Sequence, residues 1–96
     1  MRVIKLDATR WTSWSDYYDA ILSALEAPHW HGHNANALFD SMVGGGINGV
    51  EPPYKIWIIG TAGLAADTMR EIGYMVSSVS SQQAEKEPEI TFQIDP

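Results

Sequence analysis

The chain has no cysteine among its 96 residues, which excludes disulfide staples, thiolate metal sites and a cysteine nucleophile. Basic side chains are scarce. Six lysines and arginines face twelve aspartates and glutamates, for a formal charge of −6. Binding a phosphate backbone demands a basic surface, so nucleic acid is not an expected partner, and a basic protein suits the charge better. No apolar run approaches the roughly 18–20 residues of a membrane span. The opening Met1-Arg2-Val3-Ile4-Lys5-Leu6-Asp7 reads as a first strand and not as a secretory leader. A cytoplasmic protein with no membrane partner is expected. Internal repeats and low-complexity tracts are missing as well.

What remains is the composition of a folded globule, 45% hydrophobic and 19% charged. A chain of this length buries about 65% of its extended surface around a single core, so one domain spanning 1–96 is expected. Residues 2–7 read as a strand, and Ser13-Trp14-Ser15-Asp16 has the spacing of a capping box that opens a helix. Trp14, Tyr17, Tyr18, Ile21, Leu22 and Leu25 then recur at helical spacing, which marks most of these aromatics as core. Pro28 marks the end of that helix.

Asn34 is a good N-cap for a second helix over about 35–43, with Gly44 suited to the left-handed residue that ends it. Gly44 to Pro53 is a turn-rich connection without the basic residues or following helix of a phosphate loop. Lys55-Ile56-Trp57-Ile58-Ile59 is a nearly continuous apolar run, expected as a central strand buried on both faces. Leu64, Thr68, Met69, Ile72, Met75, Val76 and Val79 form the apolar stripe of a long helix reaching about Gln83, and Ile90 to Ile94 alternates as a last strand. Strands separated by helices predict a small α/β fold of order βααβαβ, a three-stranded parallel sheet packed against three to four helices. The order of strands within the sheet is not legible in such a pattern.

The densest stretch of chemistry is Pro28-His29-Trp30-His31-Gly32-His33-Asn34-Ala35-Asn36-Ala37-Leu38-Phe39-Asp40. At about 100° per residue, Ala35, Leu38 and Met42 share the inward side of the helix, with Asn36, Ala37, Asp40 and Ser41 opposite and Phe39 at the boundary. Asn36 and Asp40, one turn apart, project together, flanked by Phe39 and by Trp30 across the cap. His29, His31 and His33 alternate, but Gly32 and the cap at Asn34 argue for a turning loop that splays them, against a metal site. Three histidines in an acidic region are better suited to tuning attraction to a cationic partner as they protonate. No nucleophile with a base, carboxylate pair or nucleophile elbow emerges, so neither enzyme activity nor a cofactor is expected.

These 13 residues of 96 resemble the signature segment of the barstar family, bacterial intracellular inhibitors of the ribonuclease barnase. Members typically show Pro, an aromatic pair, Gly, Asn, an acidic residue and then Ala-Leu-Trp-Asp; Pro28, Trp30, Gly32, Asn34, Ala37, Leu38 and Asp40 fit, and Phe39 stands where tryptophan is usual. The resemblance implies the barstar-like fold and an immunity protein. Such a protein binds a secreted or toxin ribonuclease one-to-one at a basic active-site face. It further implies contacts from Trp30, Gly32, Asn34, Asn36, Phe39, Asp40, Gly44 and Gln82. Asp40 would occupy the place of the scissile phosphate, with Trp30 and Phe39 as aromatic anchors.

Two departures separate this chain from that pattern. Asn36 stands where an acidic residue is common, and the glutamate expected on the last helix falls nearest Gln82, with Glu85 one turn on as a substitute. Fewer acidic contacts imply a target whose rim differs from that of barnase. A second reading keeps the fold and makes it an interaction module or immunity protein whose target is not a ribonuclease. A third, a small metal-binding protein or enzyme, would rest on the histidines.

Overall fold

The computed structural model describes residues 2–83 and 89–96. Its elements run β1 (Arg2–Asp7), α1 (Trp14–Ala24), α2 (Ala35–Gly44), β2 (Tyr54–Ile59), α3 (Ala66–Gln82) and β3 (Ile90–Ile94), the expected order. Glu85, the alternative last-helix contact, lies outside the described residues.

The strands form one parallel sheet in the spatial order β1-β2-β3. Parallel neighbours need crossovers, and two crossovers of the same hand stepping in one direction put all the helices on one face. The side chains alternate accordingly. Ile4, Leu6, Tyr54, Ile56, Ile58 and Ile90 are buried under the helices, and the residues between them in β1 and β2 are not. The expectation that β2 is buried on both faces is therefore corrected. Trp57 and Ile59 make the run look continuous, yet they sit half-buried on the open face. There the Trp57 ring is covered by Lys5, with Nζ 5.1 Å from its centroid, and its Nε1 donates to Asp95 Oδ2 at 2.7 Å.

At the start of α1 the Asp16 carboxylate accepts the N–H groups of Thr12 at 2.7 Å and Ser13 at 3.2 Å. The bond from Thr12 is the main reason its carboxyl is held below the usual carboxylate range. Tyr17 and Tyr18 are wholly buried, whereas Trp14 keeps 41% of its surface in water and meets Tyr18 edge-on at 5.7 Å. It closes the margin of the core.

In α2, Asn34 Oδ1 accepts the N–H of Ala37 at 2.9 Å, and Leu38 and Met42 are buried, as expected. Ser41, expected on the outer side, is buried instead at 2% exposure. Its hydroxyl can go inside because three groups bond it: the Leu38 carbonyl, the His31 ring and the Asn48 amide. The positive φ expected at Gly44 falls one residue later, at Gly45 with φ 72°, while Gly44 is the last residue of the helix. Helix α3 buries Thr68, Ile72, Met75 and Val79 and packs against both other helices, which fixes it beside α2.

Candidate functional site

Leu38 and Met42 hold α2 to the core, and that leaves Asn36 and Asp40 exposed on its outer side. Ahead of the helix, His31 N–H donates to the Pro28 carbonyl at 2.9 Å, and this turn throws Trp30 outward with 68% of its surface in water. An indole left that exposed is unfavourable in a core and suits an interface anchor.

Two of the concavities beside α2 draw candidate residues together. One, a hollow of about 180 Å³, is lined by Trp30, His31, Gly32, Ala37, Asp40 and Ile47. The other is a groove of about 410 Å³ between α2 and α3, with Asn36, Phe39, Tyr74, Ser78 and Gln82 in its lining. Of the eight candidate residues, Trp30, Gly32 and Asp40 thus meet in the hollow, and Asn36, Phe39 and Gln82 meet in the groove. Asn34 is occupied with capping, and Gly44 lies at the opposite end of the helix from the cap. Among the described residues lining these two concavities, Asp40 is the one acid. A carboxylate beside an exposed indole, with no salt-bridge partner among the described residues, is available to charge-assisted hydrogen bonds from a partner.

The sequence did not single out Ile47 or Tyr74. Ile47 sits among the glycines of a connection, where no period places it. Tyr74 stands on the polar side of α3 one turn after Arg70 and is 55% exposed; a large aromatic on a solvent face was its available signal. The histidines diverge, as Gly32 and the cap suggested. His33 Nδ1 lies 3.3 Å from Asp19 Oδ1 on the surface and His29 is exposed, but His31 is buried at 7% exposure, not splayed into solvent. Its Nδ1 is 2.8 Å from the Gly32 carbonyl oxygen and its Nε2 is 2.7 Å from Ser41 Oγ.

Residues 1–95 match the family model described as Barstar (barnase inhibitor). Comparison with curated proteins gives no match.

Proposed function

The chain belongs to the barstar family, and from that premise we propose that it inhibits a ribonuclease by occupying the enzyme's active site one-to-one, with Asp40 as the group that replaces the scissile phosphate. The observation that carries this reading is the exposed Asp40 carboxylate sharing a hollow with Trp30 and Gly32. Arginines shaped to hold phosphate oxygens clamp a carboxylate equally well, through short and often bidentate hydrogen bonds. Trp30 and Phe39 then bury apolar area beside that charge, and water is excluded from it. Inhibition of this kind is occupancy without turnover. As an immunity protein the chain works in the bacterial cytoplasm, ahead of export of the toxin.

Among the described residues, the groove between α2 and α3 contributes hydrogen-bonding groups without charge, from Asn36, Ser78 and Gln82. The proposed target accordingly has a rim less basic than its catalytic centre. The test is a titration of the purified protein into a barnase assay, with wild type beside Asp40→Ala. Saturation near one-to-one, weakened by about 2 kcal/mol or more in the mutant, is the expected result. A mutant that inhibits as well as wild type removes Asp40 from the mechanism. A wild type that leaves barnase untouched rejects that enzyme as target.

A further inference from the structure

We propose that His31, Ser41 and Asn48 form a buried clamp that fixes the two loops flanking α2, and with them Trp30 and Ile47, around Asp40 before any partner arrives. All three side chains are at least nine-tenths buried, and they come from three different segments: the loop before α2, the helix itself and the glycine-rich loop after it. Ser41 Oγ is the hub. It lies 2.7 Å from His31 Nε2, receives Asn48 Nδ2 at 3.0 Å and sits 3.0 Å from the Leu38 carbonyl. Neither loop has a regular element of its own to order it. A polar cluster in this place costs desolvation and returns a defined geometry, which lowers the entropy lost on binding.

Counting protons fixes the state of the ring. The Gly32 carbonyl can only accept, so His31 Nδ1 carries the hydrogen. In the neutral ring Nε2 then accepts the one Ser41 hydroxyl proton, which is no longer shared with the Leu38 carbonyl. When the ring is charged, Nε2–H donates to Ser41 Oγ, and the serine proton turns to the Leu38 carbonyl. Ser41 receives Asn48 in both states, so the clamp stays closed whichever charge His31 carries. A phenylalanine or tyrosine at position 31 could not make both ring contacts, and an alanine at 41 would leave Nε2 and the Asn48 amide without a partner.

The purpose assigned to the clamp rests on the inhibitor reading, but its existence does not, and the experiment separates the two. Long-range ¹H–¹⁵N correlation on the labelled wild-type protein above the histidine titration range should show His31 as the Nδ1–H tautomer. The Nε2–H tautomer there overturns the clamp without any variant being made. Hydrogen exchange then follows three loop amides bonded to backbone carbonyls, those of His31, Gly49 and Val50. In Ser41→Ala and His31→Phe these should exchange about tenfold faster or more while amides of β2 and α3 keep their protection. His31→Gln, which can donate and accept, should recover part of the loss. Unchanged loop exchange, or acceleration spread equally over the sheet, overturns the positioning role. In the barnase assay the two disrupting variants should lose affinity through faster dissociation. If wild type does not inhibit barnase, the inhibitor reading fails for that enzyme, and the ring and exchange data still decide the clamp.

Discussion

Gln83 grips Ile90 with both ends of its amide: Oε1 accepts the Ile90 N–H at 2.9 Å and Nε2 donates to the Ile90 carbonyl at 3.0 Å. The same oxygen accepts Glu89 N–H at 3.0 Å, and the same nitrogen reaches the Val79 carbonyl at 3.3 Å. One side chain thus ties the last turn of α3 to the first residue of β3. The preceding residue, Gln82, lines the groove beside α2, so this tie also sets one wall of the candidate site.

Gln83→Ala should lower stability by about 1–3 kcal/mol, because backbone groups at the α3–β3 junction lose their partners. Gln83→Glu keeps the acceptor for Glu89 and Ile90 but turns an oxygen toward the two carbonyls, and should recover little. Urea unfolding of the three proteins reads both effects; a Gln83→Ala midpoint equal to wild type would remove the tie from the stability of the fold.

Local periodicity made most of this fold legible. A period of 3.6 placed all three helices, and β-branched runs placed the strands to within a residue or two. What the sequence hid depends on partners far along the chain. Ser41 looked like a surface residue because its hydroxyl is satisfied by His31 and Asn48, ten and seven residues away. The β2 run looked doubly buried because Trp57 is apolar, although Lys5 and Asp95 cover it only in part. Gln83 was one more polar residue at a helix end. The candidate site was readable to the extent that a single helix carries it: Asn36 and Asp40 share the outer side of α2 by spacing alone. Tyr74 and Ile47 reach it only through tertiary packing.

Gly60 ends β2 with φ +73°, and a Cβ there would run into the Thr9 side chain and lie 3.1 Å from its backbone nitrogen and 3.2 Å from Asp7 Oδ1. Both backbone strain and contact oppose any other residue, so Gly60→Ala should cost about 2 kcal/mol or more. Gly63→Ala, where an added Cβ meets nothing within 4 Å, is the matched control and should change stability by no more than about 0.5 kcal/mol. Equal denaturation midpoints for the two variants would contradict the steric argument.

Tyr17, Tyr18 and Tyr54 are wholly buried, and burial is the main cause that raises their hydroxyl pKa values, Tyr18 to about 12. The charge of Glu71 adds to the effect on the first two and Glu51 to that on Tyr54. An unfolded tyrosine ionises near 10, while the folded one keeps its proton. Stability is therefore full below about pH 10 and falls as pH rises, until the folded groups ionise as well. Tyr17 Oη has no hydrogen-bond partner among the described residues. Tyr17→Phe should then leave stability at pH 7 nearly unchanged and flatten the alkaline decline. Thermal unfolding across pH 7–12 tests both halves, and a decline as steep in the variant as in wild type would refute the assignment.

Gly32 has a reason to be glycine that involves no partner. A Cβ built on it would lie 2.9 Å from Asn34 Nδ2 and 3.2 Å from Ala37 Cβ, against the cap that starts α2. Were the glycine there only to let a ribonuclease approach, Gly32→Ala would weaken inhibition and leave stability alone. If it clears the cap, the substitution should cost about 1 kcal/mol of stability, the order of a lost N-cap. A double-mutant cycle separates the two. Asn34→Gly removes the obstructing amide at a cost of only a few tenths of a kcal/mol, so in that background Gly32→Ala should become cheaper by about 0.5 kcal/mol or more. The contact with Ala37 survives in both backgrounds, so the cost shrinks without vanishing. No stability cost in either background, with inhibition still impaired, would instead return Gly32 to the binding face alone.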